Sequence, residues 1–395
     1  MKQEMIDKYA KLILSALNDN KGPKKGDVIL IRVPESAKPL MISLRNECLK
    51  QECHPIVRFL PQNMSKEFYD LANPKQLKFF PDKYIRGLVD EIDHLVSIIS
   101  EVNKHELKDV NPKKIMTSVE ANKKFREWLE EKENKGKFTW TLALYPTKQM
   151  ADEVKTSLKK YTNQVVKACF LDLEDPVKEW KARTKEIERI KNKLNKLKIE
   201  WLHIKSQGTD LKIKIGPDRK WMGGSGRNVP SFEIFISPDW RGTQGKISFD
   251  QPLYRYGNLI QDISLEFKNG KVVKSKASKG QKVLKEMIKT KNADKVGEFS
   301  LTDTRFSRIT EFMGETLYDE NVGGKYGNTH IALGNAYKDS FPGDPSKVSP
   351  KKWKEMGYNE SSVHTDIVST KDRVVTATLK DGSQKIIFKD GKFMI

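Results

Sequence analysis

The rhythm of the chain changes once, near residue 200, and no other feature limits its fold as strongly. Before that point, short apolar runs rich in β-branched residues alternate with amphipathic stretches. "DVILIRVP" (27–34), "HPIVRFL" (54–60), "HLVSIIS" (94–100) and "FTWTLALYP" (138–146) read as buried strands. Residues 3–18, "LMISLRNECLKQE" (40–52), "YIRGLVDEI" (84–92) and "NKKFREWLEEKEN" (122–134) carry apolar residues at helical spacing. Strands joined through helices pair in parallel, and the helices cover both faces of the sheet. The first half therefore predicts an α/β domain with a mainly parallel sheet.

"EDPVKEWKARTKEIERIKNKLNKLK" (174–198) is the longest helical pattern, and it closes the first domain or links it to the next. Beyond it glycines thicken, as in "GPDRKWMGGSGRNVP", and the strands become short and alternating. "DISLEFKNGKVV" predicts a hairpin turning at Asn269-Gly270. The C-terminal "VVTATLKDGSQKIIFKDGKFMI" turns again at Asp381-Gly382 and Asp390-Gly391. One or two helices, such as "GQKVLKEMIKT", complete a β-rich mixed domain. The expected division is an N-terminal α/β domain over 1–205 and a β-rich mixed C-terminal domain over 206–395. "GGSGRN" lacks the Gly-Lys-Ser/Thr ending and the strand–helix context of a phosphate-cradling loop.

The first twenty residues interleave charges with Ile6, Ile13, Leu14 and Leu17, which is not a signal-peptide pattern. No apolar run approaches the ~20 residues of a membrane helix. Cys48, Cys53 and Cys169 do not make a disulfide framework, and Cys48, Cys53 and His54 lack the second pair of a thiolate metal site. These features predict a soluble, cytoplasmic protein with no membrane partner. Composition matters at one point: 73 Lys and Arg against 53 Asp and Glu leave a formal charge of +20. Such an excess invites a nucleic-acid partner. The lysines, however, run along the whole chain as solvated faces in "KKFREW", "LKKY" and "KNKLNKLK". With no finger, basic zipper or RNA-binding sheet motif, nucleic acid is not expected as the main partner.

Chemistry-bearing residues gather in the second half. In "SSVHTDIVST", a strand would send Val363, Thr365 and Ile367 to one face and His364 and Asp366 together to the other. An imidazole and a carboxylate so placed suit a divalent metal; alone, they equally suit a hydrogen-bonded pair on a wet surface. "GNTHIALGNAY" adds His330, small residues and Gly334 that permit close backbone approach, and Tyr337 with a hydroxyl able to donate to an oxyanion. Glu233 in "SFEIFISP" and Glu298 in "VGEFSL" break apolar strands, and "TLYDEN" adds Asp319 and Glu320. Each taken singly also fits a core histidine, a packed tyrosine or a solvent-facing glutamate. Together they hold more carboxylates than one metal needs, which argues for two metals about 3.5–4 Å apart. There is no His-Glu-x-x-His helix, so a zinc endoprotease of that kind is excluded.

The strings "GTDLKIKIG", "MGGSGRNVPSFEIFISP", "YGNLIQDISLEFKNGKVV", "VGEFSL", "TLYDEN", "THIALGNAY" and "VHTD", with "WTLALYPT" in the first half, resemble the M29 metallo-aminopeptidases of the aminopeptidase T type. The likeness spans nearly the whole chain and keeps the family's order. It implies metal ligands at Glu233, Glu298, Glu320, His330, His364 and Asp366, and a catalytic tyrosine at Tyr337. It also implies two divalent ions (Zn, Co or Mn), peptide substrates with a free N-terminus, and a two-domain subunit in a homodimer. Glu298 is expected either to bridge the metals or to act as the catalytic base.

The function expected is a metal-dependent aminopeptidase in which a metal-activated water attacks the scissile carbonyl. The alternative is a basic nucleic-acid or partner-binding protein on the same fold with a structural or vestigial metal site. A dinuclear hydrolase acting on another bond, such as a phosphoester, is allowed by the ligand types and disfavoured by the resemblance.

Overall fold

The computed structural model describes residues 1–255 and 258–395. Tyr256 and Gly257, which open one of the family-like strings, lie outside the described residues. The chain divides into two compact units, Met1–Trp180 with Gly226–Val229, and Lys181–Ser225 with Pro230–Ile395.

The first unit is built on a five-stranded sheet. Its strands run in the order His54–Leu60, Val28–Pro34, His94–Ile99, Thr139–Leu144, Asn228–Val229, and every neighbouring pair is parallel. Four of these are the apolar runs of the first half. The fifth comes from the glycine-rich stretch: Thr141 Oγ1 donates to Gly226 O at 2.9 Å, and Leu142 N donates to Arg227 O at 2.7 Å. "GGSGRN" thus leads into a sheet strand. The first helix, Gln3–Asn20, buries Ile6, Tyr9, Leu12, Ile13 and Leu14, so most of its middle turn is enclosed. Its regular geometry stops after Ala16, because Leu17 has ψ 160° and Asn18 and Asp19 have φ of 52° and 53°. Cys48, Cys53 and Cys169 are buried, and burial pushes the Cys48 thiol up to about 12.

The unit boundary falls within the long helix Pro176–Lys196, ahead of the expected 205/206 division. The reason is pairing. Strand Ile199–Ser206 sits between Thr209–Lys214 and Arg373–Leu379, deep in a sheet of the second unit. That sheet has eight antiparallel strands, in the order Lys271–Lys276, Ser264–Lys268, Asp239–Ser248, Thr209–Lys214, Ile199–Ser206, Arg373–Leu379, Gln384–Lys389, Lys392–Phe393. All three predicted Asn-Gly and Asp-Gly turns join neighbouring strands in it.

A second antiparallel sheet in the same unit has four strands, His364–Ser369, Asn328–Gly334, Val296–Thr302 and Glu233–Ile236 in that order. Its two central strands are buried along their whole length. Among the described residues, no helix is long and apolar enough to cross a membrane.

Candidate metal centre

The four-stranded sheet has two faces of opposite character. Ile234, Phe299, Leu301, Ile331, Leu333 and Ile367 form an apolar, buried side, and Trp221 packs edge-on to Phe299 with ring centroids 6.3 Å apart. Alternation sends the intervening residues to the other side. There the register lines them up. Glu233 stands opposite Thr302, and Ser300 opposite both Phe235 and His330. Glu298 and Asp366 flank Ala332 from its two neighbouring strands, and His364 faces Gly334. Five of the six sequence-predicted ligands therefore share one face. Ser300, Ala332 and Gly334, placed between them, are small and leave room above the sheet.

A bulge makes this arrangement possible. Val296 pairs with Leu333 and Glu298 with Ala332, so Gly297 is an extra residue on its strand. The bulge turns Val296 onto the apolar side and leaves Glu298 on the polar one. Only glycine fits there: a Cβ on Gly297 would lie 2.2 Å from Asn335 O and 2.5 Å from Gly334 O. Gly334 itself has φ +107°, and a Cβ there would meet Val363 O at 2.0 Å. The close approach expected of Gly334 is thus to a neighbouring backbone.

His330, completely buried, directs Nε2 to Glu233 Oε2 and to Glu298 Oε1, both at 3.2 Å. His364 Nε2 lies 3.4 Å from Asp366 Oδ1 and 3.9 Å from Glu298 Oε2. The two oxygens of Glu298 therefore face different histidines. Donor atoms of Glu233, Glu298 and His330 lie within 4.8 Å of one another, as do those of Glu298, His364 and Asp366. Glu320, capping the short helix Thr316–Asp319, is buried within electrostatic reach of both groups but belongs to neither. Asp319 turns away, accepting Met313 N at 2.6 Å.

Each histidine is oriented by the nitrogen that points out of the cluster. His364 Nδ1 donates to the carbonyl of Asn335 at 2.8 Å, leaving Nε2 toward the carboxylates. Asn328 Nδ2 donates to Glu320 O at 2.9 Å and Val322 O at 2.7 Å, so its Oδ1 is the atom that accepts from His330 Nδ1 at 3.4 Å. Imidazoles held in this way are typical of metal ligands. Asn328 has a second effect: it pins the backbone of Glu320 beside His330. Ser300 Oγ donates to Glu233 Oε2 at 3.0 Å. Sequence reasoning missed Ser300, Asn328 and the Gly297 bulge. Their only trace was a polar residue inside an apolar run, and a glycine immediately before Glu298.

The electrostatics ask for positive charge. Burial pushes the Glu298 carboxyl up to about 7, with Glu233 and Asp366 adding to the rise and the His330 hydrogen bond opposing it. Burial likewise raises Glu320 well above the carboxylate range, helped by Glu233 and Asp366. Burial alone would pull both imidazoles down. Glu233 and Glu298 instead hold His330 well above its ordinary value, and Asp366 and Glu298 hold His364 up at about 9. Asp366 is lowered despite burial, because His364 lies against it. Its buried Oδ1 faces His364 Nε2 at 3.4 Å. Converging imidazole and carboxylate donors and excess negative charge fit divalent cations.

Tyr337 follows the His330 strand. Its ring lies 4.5 Å from that of His364 and 6.0 Å from that of Phe235, and the residue is 43% exposed. Burial of the hydroxyl end, followed by the charges of Glu298 and Asp366, raises the phenol above its ordinary value.

The family pattern described as "Thermophilic metalloprotease (M29)" matches residues 2–393. The chain belongs to the M29 family. It is therefore a metal-dependent peptide hydrolase, and the divalent-cation chemistry of its sheet face agrees with that membership. Among curated relatives, aminopeptidase AmpS of Bacillus subtilis (strain 168) is 25% identical over 412 residues, which cover 99% of this chain and 98% of the relative. Aminopeptidase PepS of Streptococcus thermophilus is 31% identical over 281 residues, 66% of each chain. The solved structure of wild-type AmpT from Thermus thermophilus superposes with a TM-score of 0.83 at 22% identity, covering 99% of both chains, so the M29 fold is shared throughout.

Proposed function

We propose that this M29 protein is an aminopeptidase holding two divalent ions, with Glu233, Glu298, Glu320, His330, His364 and Asp366 as ligands and Tyr337 as a catalytic donor. One observation carries the reading: two imidazole–carboxylate clusters share Glu298, whose oxygens face different histidines. Bound ions of the Zn, Co or Mn type would lower the pKa of a shared water and polarise the scissile carbonyl. The chain's own groups do the rest. Carboxylates in excess of the imidazoles attract the free α-ammonium of a peptide, which favours cleavage at its N-terminal end. The Tyr337 hydroxyl, whose ring lies beside that of His364, donates to the oxyanion formed at the attacked carbonyl. A glutamate carries the proton to the leaving amine.

Purified protein loaded with Co, Zn or Mn should release free amino acids from unblocked peptides. N-acetylation should abolish release, because it removes the ammonium charge. Equal cleavage of acetylated and free peptides, followed by mass spectrometry, would end the exopeptidase reading.

The reading extends to a homodimeric, cytoplasmic enzyme, supported by the family resemblance. Light scattering should give twice the chain mass, and a monomeric mass at working concentration would remove the dimer. The +20 charge favours a binding role on the same fold with a vestigial site. Against it, a decayed site should have lost a ligand, and all six proposed positions carry a glutamate, aspartate or histidine.

A further inference from the structure

Ser237 follows directly on the strand Glu233–Ile236 and is completely buried. Each of its polar groups is engaged. Its Oγ accepts the backbone N–H of Tyr337 at 2.9 Å. Its own N–H donates to Ser340 Oγ at 3.0 Å. Its carbonyl accepts Arg219 Nε at 2.6 Å. The Arg219 guanidinium is held in turn, donating to Pro217 O at 2.7 Å and Met356 O at 2.8 Å, and lying 3.6 Å from the centroid of the Tyr358 ring.

The other end of Tyr337 is tied to the same group. Its carbonyl accepts Ser340 N at 3.2 Å across the short 3-10 turn Lys338–Ser340, and Ser340 O accepts Lys220 N at 2.7 Å. Both backbone groups of Tyr337 are therefore held by a serine pair that is wholly buried. The ring has no such enclosure, since the residue is 43% exposed. A side chain that the core does not clamp, yet must meet a reacting atom, is placed by its backbone.

We propose that Ser237 is a positioning residue for catalysis, fixing the Tyr337 hydroxyl over the cluster by anchoring the Tyr337 N–H to the end of the strand that carries Glu233. This rests on the reading of Tyr337 as the oxyanion donor. Without the anchor the hydroxyl is displaced by a fraction of an ångström to an ångström, a shift that can cost up to about 10²-fold in rate. Metal binding does not depend on that bond.

The test is a double-mutant cycle read in kcat, KM and bound metal per chain. Ser237→Ala should lower kcat roughly ten- to a hundredfold, with KM and metal content near wild type. In a Tyr337→Phe background the same change should have little further effect on kcat, because the group it positions is gone. Losses that multiply would show that Ser237 is only structural and overturn the inference. A fall in metal content in Ser237→Ala would trace its effect to Glu233 and also overturn it. A wild-type rate in Tyr337→Phe alone would refute the oxyanion reading and this inference with it, an outcome distinct from the other two. If Ser237→Ala does not fold, Ser237→Cys replaces it. A thiol is a weaker acceptor for the Tyr337 N–H, so the same non-multiplicative pattern should appear at smaller size; multiplicative losses there overturn the proposal.

Discussion

Glu298→Gln should strip the protein of both metals and of activity. The amide keeps the shape of the side chain and removes its charge, so the sheet and the bulge at Gly297 are undisturbed. What changes is the donor common to the two clusters, whose oxygens lie 3.2 Å from His330 Nε2 and 3.9 Å from His364 Nε2. A ligand shared by two ions is lost from both at once. The fall in activity should exceed the roughly 10–100-fold that follows from disturbing a group that only supports a ligand. Glu233→Gln is the control, because Glu233 belongs to one cluster and should depress metal content by less. The measurement is metal per chain beside the rate on an unblocked peptide. Full metal content in an inactive Glu298→Gln protein would make Glu298 the catalytic base and not the bridge.

Tyr337→Phe should lower kcat by about 10²-fold to 10³-fold, the scale of losing one oxyanion donor. An interaction made only in the transition state changes kcat with little effect on ground-state binding, so KM and metal content should stay near wild type. A tyrosine that merely fills the core would make phenylalanine nearly silent. The structure argues against that role, since Tyr337 is 43% exposed while its ring sits 4.5 Å from the His364 ring. Burial, followed by the charges of Glu298 and Asp366, raises the phenol and so favours its protonated, donating form. A wild-type rate would remove Tyr337 from the mechanism. A loss of metal would place it among the ligands instead.

Much of this was legible before any coordinates. The alternation of apolar runs with amphipathic helices set the parallel sheet of the first unit, because strands separated by helices have no other economical pairing. Asn269-Gly270, Asp381-Gly382 and Asp390-Gly391 marked hairpins, since a tight turn needs residues that tolerate positive φ. Lone polar residues inside apolar strands pointed to one chemical face, and the spacing of His364 and Asp366 put both on it. These are local properties, carried by a period of two residues.

Register is not local, and the tertiary structure alone decided it. Nothing in the separate strings says that Glu298 and Asp366 flank Ala332, or that His364 stands beside Gly334. A slip of one residue would have sent every ligand of a strand to the apolar side. The bulge at Gly297 keeps Glu298 on the ligand face, where the backbone of Gly334 and Asn335 leaves no room for a side chain on Gly297. Glu320 comes within electrostatic reach of the cluster at the end of a short helix, where Asn328 ties down its carbonyl, and Ser237 meets Tyr337 only once two strand ends are brought together. The residues before 206 that pair inside the second unit, and the Asn228–Val229 strand that joins the first, were hidden for the same reason. Their partners are chosen by packing between distant segments, while the sequence pattern records only which side of its own strand each residue occupies.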